Sequence, residues 1–428
     1  MTIREPVESV GSRLKGVAAF GPGLVYLVSS IGPTDLVTNS AAGANYGYGL
    51  IWVLLVSCGS LFVVLEAMSR YVLTTGESLM AGYQRVGRWV VWMILGFIVL
   101  RRHMSNLVHI LVMGVALDMI APLGSPYSQQ IWAAMSCALG FGLIYWGRYP
   151  AVEKASKPLL FIMGGCLILA AAASRPDVGD IVRGFLNPSL PESDGFYSPT
   201  LVTMALIGAA VGSMTTLKYS AFMYEKGWRD ASFRRRQRID LMLTAGGSFI
   251  LAVMIQIAAV EVLRPRGMTV ENLDDLAPLF EVTLGEWGRV ALGLCLWATV
   301  FSTYLGSNTG YALMATDIYR RLVKGREGRG SSDPLFVGFV VWFCASPMYV
   351  LWTSWKPVPV VLVTGMMFLV LFPVLVFVLL KITNDRKLMG EYVNGWLTNT
   401  WLSLLALGIV IATVQEGASV WLELKAHF

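Results

Sequence analysis

Charge is scarce in this chain. Asp, Glu, Lys and Arg make up 14% of its 428 residues, and hydrophobic residues make up 55%. A soluble domain carries roughly 25% charged residues. With so few charges and a mean hydropathy of +0.62, a molecule of this size cannot present a surface to water, so lipid must cover it. Cysteine and histidine are scarce too. Cys58, Cys137, Cys166, Cys295 and Cys344 lie singly inside apolar blocks with no CxxC spacing. That excludes a disulfide framework or a zinc ribbon and leaves them as small buried hydrophobes. There is no HExxH and no Ser/His/Asp or Cys/His set. Gly43-Ala44-Asn45-Tyr46-Gly47 and the other glycine clusters lack the strand-to-helix context of a phosphate-cradling loop. An enzyme is set aside on these grounds, and no cofactor is implied. A cleavable leader is missing as well: the charged start (Arg4, Glu5, Glu8, Arg13, Lys15) runs into Gly21-Pro22 without a small-residue cleavage site.

Apolar sequence is abundant. A bilayer-spanning helix needs about 20 mostly apolar residues, and about eleven blocks meet that need. They fall near 18–44, 48–69, 89–120, 131–147, 155–174, 199–223, 239–263, 286–316, 334–353, 358–381 and 400–417. No stretch between them is long enough for a second, soluble domain. The net charge of +6 is distributed by topology. Loops after even-numbered blocks hold Arg85 and Arg88; Arg148, Lys154 and Lys157; Arg229, Arg234, Arg235, Arg236 and Arg238; Arg320, Arg321, Lys324, Arg326 and Arg329; and Lys381, Arg386 and Lys387. Loops on the other side hold only Arg175, Arg183, Arg264, Arg266 and Lys356. The positive-inside rule then places the N-terminus in the cytoplasm and the C-terminus outside, in a multi-pass protein of the cell membrane. The arginine run 234–238 reads as part of this pattern and not as a nucleic-acid surface.

Two blocks are interrupted at mid-depth. The first carries Ser29-Ser30-Ile31-Gly32-Pro33-Thr34-Asp35, and the sixth carries Gly208-Ala209-Ala210-Val211-Gly212-Ser213-Met214-Thr215-Thr216. Proline removes a donor and glycine loosens a helix. Backbone freed inside a bilayer is tolerated only where protein or a water-filled cavity surrounds it. Breaks in corresponding helices of two five-helix halves point to an ion or substrate site between inverted repeats; unrelated packing kinks would leave the same glycines. Asp35 favours the former, because an ionisable group at that depth is costly. The chain divides accordingly into a segment 1–17, a first repeat 18–174, a loop 175–198, a second repeat 199–381, and a last helix with its tail at 382–428.

At these residues the chain resembles the Nramp family of metal-ion transporters. The likeness runs through Gly21-Pro22-Gly23, Ile31 to Asn39, Ala42 to Tyr48 and Leu50-Ile51-Trp52. It continues in Arg175-Pro176-Asp177, Arg183-Gly184, Pro188-Ser189-Leu190-Pro191 and Asn384 to Asn394. The resemblance implies an all-α membrane fold of the LeuT type, two inverted five-helix repeats with broken helices 1 and 6, working by alternating access. It also exposes departures. The family's Asp-Pro-Gly-Asn is here Gly32-Pro33-Thr34-Asp35, and its Met-Pro-His is Gly212-Ser213-Met214. The glutamine position of helix 10 falls on Met366. Val99 and Asn106 fall where helix 3 carries acidic residues, and the arginines of helix 9 have no counterpart in Phe336–Met348. The family's proton coupling is therefore expected to be absent or rebuilt.

Positive charge has arrived instead: Arg101, Arg102 and His103, then His109, in the third block, and Lys218 beyond the second break. A buried cation needs partners, which Asp35 or carbonyls at the breaks can supply; alternatively these residues face a cavity and bind an anion. His103 and His109, six apart, do not share a helix face as a metal pair would. Two substrates follow. A small metal ion would be held by Asp35, by the carbonyls near Gly32, Ala209 and Gly212, and by the hydroxyls of Thr34, Ser213 or Thr216. A harder ion such as magnesium is favoured, since the soft methionine at 212 is gone. An anion such as bicarbonate, or an anionic metal chelate, would use Arg101, Arg102, His103 and Lys218. A receptor that keeps the fold without transport is set aside because no signalling domain follows the last block. A monomer in the lipid bilayer is expected, with no nucleic-acid partner.

Overall fold

The computed structural model describes residues 21–192, 198–211, 214–268, 270, 273–353 and 371–427. Among these, every regular element is helical. The first break separates α1 (Pro22–Ser30) from α2 (Pro33–Tyr46), and α3 (Ile51–Thr75), α4 (Leu79–Val86) and α5 (Arg88–Ile120) follow. Then come α6 (Ser128–Ala173), the short surface helix α7 (Val178–Leu186), and α8 (Pro199–Ala210), with α9 (Leu217–Glu225) beyond the second break. The remainder is α10 (Arg234–Val262), α11 (Pro278–Leu284), α12 (Gly288–Lys324), α13 (Pro334–Ala345), α14 (Phe372–Thr383), α15 (Arg386–Met389) and α16 (Trp396–His427). Punctuation explains many boundaries. Proline begins α1, α2, α8, α11 and α13 at the position where its missing N–H is no loss. Asp177, Asp333 and Asp385 cap the helices that follow them, and Gly76 and Gly325 end α3 and α12 with positive φ.

Six helices among the described residues are long and apolar enough to cross a membrane, or seven if the bent pair within 386–411 forms one span. Length alone thus does not establish the count of about eleven read from the sequence. α1, α8 and α9 have 9, 12 and 9 residues, too short to cross singly. Residues 354–370 lie outside the described residues. The blocks at 131–147 and 155–174 form one 46-residue element, α6. At 1.5 Å per residue it would be about 69 Å long, twice the hydrocarbon thickness. Arg148 resolves this: its φ of 54° and ψ of −155° break the helix between the two blocks.

α12 is the central post. In its most apolar stretch 78% of residues are buried, against 33–56% in the other candidate spans. It packs on α5, α6, α1 and α13. The loops that the sequence marks as basic meet at one end of the molecule. Arg148 donates to the Ser331 carbonyl (3.0 Å), Ser78 bonds Asp317 (2.5 Å), Lys226 pairs with Glu153, and Arg320 pairs with Asp333 (2.8 Å). At the other end Tyr48 donates to Glu261 (2.7 Å) and Trp52 to the Ser189 carbonyl (3.2 Å). Loops marked as basic thus bond one another, and loops of the other set bond one another.

The start of α1 is held by a residue the sequence reading passed over. Asp240 on α10 is buried, and its carboxylate accepts from the Gly21 and Gly23 N–H groups (both 2.8 Å) and from the Tyr219 hydroxyl (3.0 Å). An anion at a helix N-terminus satisfies orphan donors and complements the helix dipole. The approach requires glycine at 23, where a Cβ would lie 2.1 Å from Thr244 Oγ1. Asp240→Asn replaces one acceptor oxygen by a donor facing backbone N–H groups. It should cost about 1–3 kcal/mol and lower the melting midpoint of the detergent-solubilised protein by more than Tyr219→Phe does. Equal midpoints for the two variants would mean that the carboxylate does not anchor α1.

Candidate functional site

α1 ends at Ser30 and α2 begins at Pro33, so both half-helices present unpaired backbone groups inside the protein. Protein side chains answer most of that demand. On the α1 side, Ser302 Oγ donates to the Val28 carbonyl (2.9 Å) and Thr303 Oγ1 to the Ile31 carbonyl (2.7 Å). Lys218, fully buried on α9, donates to the Ser29 carbonyl (2.7 Å), Ser29 Oγ (3.2 Å) and Ser307 Oγ (2.8 Å). All three ammonium protons are thereby placed. A cation at the C-terminus of α1 also suits the dipole there. α12 comes this close because residue 306 is glycine: a Cβ there would lie 2.3 Å from Ser29 Cβ.

On the α2 side, one Asp35 oxygen accepts from the Gly32 N–H (2.8 Å), capping its own helix. Asp35 makes no ion pair among the described residues. The sequence reading offered Asp35 or the break carbonyls as partners for Lys218 and Arg102. Lys218 takes a carbonyl, and Arg102 takes neither. Arg102 Nε donates to Asn308 Oδ1 (3.1 Å), and its terminal nitrogen bonds Asn106 Oδ1. Asn106 in turn donates to Asn308 Oδ1 (2.9 Å) and to the Phe343 carbonyl (2.8 Å), and His109 Nδ1 lies 3.1 Å from Asn106 Oδ1. The Tyr311 ring lies between the cations, 5.7 Å from the Arg102 guanidinium carbon and 5.6 Å from Lys218 Nζ. Two buried cations therefore occupy the α5–α12 side of the break with neutral partners.

The opposite side holds a cavity of about 40 Å³. α2 contributes Asp35 and Asn39, α3 contributes Ser57 and Cys58, α8 contributes Ala209 and Ala210, and α10 contributes Ser248. Asn39 Oδ1, Ser57 Oγ and Ser248 Oγ are buried and have no hydrogen-bond partner among the described residues. The second Asp35 oxygen accepts no bond among the described residues. Much of its wall is apolar, from Ile31, Leu54, Leu61, Leu206, Ala252 and Ile255, and Asp35 is the one acidic or basic residue among those that line it.

The sequence-predicted residues are distributed as follows. Gly32, Asp35 and Ala209 come together at the break, and Thr216 is buried just beyond the second one. Thr34 is exposed. Arg101 reaches Thr215 Oγ1 (3.3 Å), so it too lies against the second break. His103 does not: its ring nitrogens meet Ser346 Oγ (3.0 Å) and Tyr349 Oη (3.2 Å) on the far side of α5. Gly212, Ser213 and Met366 lie outside the described residues. No group of three or more His, Cys, Asp or Glu side chains could hold a metal ion among the described residues. Asn39, Ser57, Ser248, Asn308 and the hydroxyls of α12 were missed in the sequence. The last had a signal in the polar run Ser302-Thr303 and Ser307-Asn308-Thr309 within an apolar block.

The family model for natural resistance-associated macrophage protein-like proteins matches residues 23–418. The chain belongs to the Nramp family. The divalent metal cation transporter MntH of Aeromonas hydrophila is 24% identical over 97% of this chain and 97% of its own length. A solved manganese transporter of Eremococcus coleocola superposes with a TM-score of 0.73 at 17% identity, over 94% of this Nramp chain and 88% of the other. Mhp1, a nucleobase-cation-symport-1 family transporter, gives 0.60 at 12% identity over 96% and 93%. These likenesses show the LeuT-type fold.

Within this Nramp protein the charge arrangement makes a signed prediction. Removing a buried ion with only neutral partners relieves its desolvation cost, and without Arg102 the Asn308 oxygen still accepts from the Asn106 amide while the Asn106 oxygen still lies beside His109. Arg102→Met should leave the melting midpoint unchanged or raised. Asn106→Ala should lower it by the equivalent of about 1.5–3 kcal/mol, since a hydrogen bond to a charge is lost. The reverse order would show that the Arg102 charge itself stabilises the fold.

Proposed function

We propose that this Nramp protein moves a small inorganic metal ion across the cell membrane by alternating access, with the first-helix break as its site. The observation that carries this reading is the Asp35 carboxylate beside Asn39, Ser57 and Ser248 in a cavity at that break. Hard oxygen donors without thioether suit a hard cation such as magnesium better than manganese or iron. Family membership supports the transport reading, and the printed activity of the MntH relatives, divalent metal cation transport, supports the substrate class. The substitutions at Gly32 and at Val99 and Asn106 remove acidic groups at positions where the family resemblance implies metal binding and a proton path. Proton coupling of the family's kind is therefore not assigned to this chain. Residues 18–174 and 199–381 are read as the two inverted repeats, and α1, α2, α8 and α9 as the moving elements. The N-terminus is assigned to the cytoplasm, the C-terminus to the outside, and a monomer to the membrane.

A second reading rests on one specific observation: Arg102 and Lys218 are buried against neutral partners. Such a pair raises the potential on the α5–α12 side and suits a small anion such as bicarbonate or an anionic metal chelate. Proteoliposome flux separates the two. For a metal carrier, uptake of magnesium or manganese should fall at least tenfold in Asp35→Ala and survive in Lys218→Met. Anion flux that fails in Lys218→Met and ignores Asp35→Ala would establish the second reading and contradict the first.

A further inference from the structure

Buried polar atoms in proteins are hydrogen-bonded in the great majority of cases, so an unpartnered one requires an explanation. Two such atoms, both donors, belong to residues that line one small cavity where the start of α10 meets the end of α3: Gln237 Nε2 and Arg70 Nε. Gln237 is 2% exposed. Neither atom has a hydrogen-bond partner among the described residues. The far end of the Arg70 guanidinium is already committed: Nη2 lies 3.3 Å from the Glu66 carboxylate and donates to Asn394 Oδ1 (2.7 Å). Arg234 lines the same cavity, with its guanidinium carbon 4.4 Å from the centre of the Tyr392 ring. Arg238, exposed on the next turn of α10, adds positive potential at Arg70. Three guanidiniums and one carboxylate therefore gather here, and the two orphan atoms can only donate. Such a surrounding favours an anionic acceptor.

We propose that this cavity binds the phosphate of an anionic membrane phospholipid. Its volume of about 10 Å³ admits one oxygen, since a single water needs about 10–15 Å³ of such space. One phosphate oxygen enters between Gln237 and Arg70, and the others stay at the mouth with Arg234 and Arg238, whose planar forks suit phosphate oxygens. The level fits a headgroup. The stretch Ala231–Arg266 is long and apolar enough to cross a membrane, and these arginines stand at its start. Basic pockets between membrane helices bind anionic headgroups in this way. The surface beyond fits the rest of a lipid. Arg234, Arg238, Met242, Gly246 and Ile250 form one row at i, i+4 spacing along α10. Met242 and Ile250 are 61% and 51% exposed, and a Cβ at Gly246 would meet nothing within 4 Å. Two cations followed by an exposed apolar row with an open notch match a headgroup continued by an acyl chain. Free phosphate would use only the first part. The bound lipid ties α3, α10 and the turn at Tyr392 together. The site shares no lining residue with the cavity at the first-helix break, and it stands whether the cargo is a metal ion or an anion.

The test uses the full chain, delipidated in a non-ionic detergent, and reads its melting midpoint after addition of phosphatidylglycerol, phosphatidylcholine or inorganic phosphate. Phosphatidylglycerol should raise the wild-type midpoint by about 2–4 °C, and the other two by less than half as much. Gln237→Leu and Arg234→Gln should each lose most of that rise. In detergent alone the midpoint of Gln237→Leu should equal or exceed that of the wild type, because a buried unpartnered donor is gone; a lost rise is then not a lost fold. Equal rises from phosphatidylglycerol and phosphatidylcholine would mean that lipid merely coats the bundle, and would overturn the proposal. A rise that survives in both variants would overturn it too, and is the result expected if the cavity holds only a water. An equal rise from inorganic phosphate would reject the lipid in favour of a free-phosphate site.

Discussion

A helix that stops at Ser30 and restarts at Pro33 inside a membrane protein leaves backbone groups where bulk water does not reach, and much of what sets this chain apart answers that demand. Carbonyls at the end of α1 take hydroxyl and ammonium protons from α12 and α9. The N–H at the start of α2 takes the Asp35 carboxylate. Each charge sits at the helix end whose dipole it complements. Lys218 and Asp35 therefore have structural work before any ion is considered, and they do it on opposite sides of the break.

That separation bears on the electrostatics. A single pocket holding Asp35, Lys218 and Arg102 would favour neither cation nor anion. The chain instead places its buried cations among α5, α9 and α12 with amides, hydroxyls and the Tyr311 ring. The carboxylate faces acceptors from α2, α3 and α10. The break thus has a positive flank closed by neutral donors and acceptors and a negative flank that retains unpartnered oxygens.

Much of the fold was legible in the sequence because its signals are long-range and redundant. Apolar blocks, arginine placement and the paired glycine breaks all agree, and the family likeness keeps its order along the chain. The count of spans was less legible from helix length, since α1, α8 and α9 are half-helices and α6 joins two blocks through Arg148. The candidate site was legible only in its break residues. Asp35, Gly32 and Ala209 announce themselves by a carboxylate and glycine at mid-depth. Asn39, Ser57 and Ser248 do not, because single small polar residues in apolar helices are common and their convergence depends on three helices meeting. Asp240 was hidden for a similar reason: its partners are N–H groups 217 and 219 residues away. His103 misled because residues next to each other on a helix face different neighbours, and α13 lies on its side of α5 with Ser346 just beyond that helix's end.

Cys58 offers a direct probe of the central claim, that the first-helix break is where the ion sits and the protein opens. It lines the cavity, is buried, and is a free thiol. With the other four cysteines replaced, its rate of modification by a small thiol reagent can be followed in liposomes with and without ions. The account predicts slow modification that changes severalfold when the bound ion is added, and loss of that change in Asp35→Asn. A rate that is the same with every ion and unaffected by Asp35→Asn would mean that the cavity is a static part of the bundle and that the ion passes elsewhere.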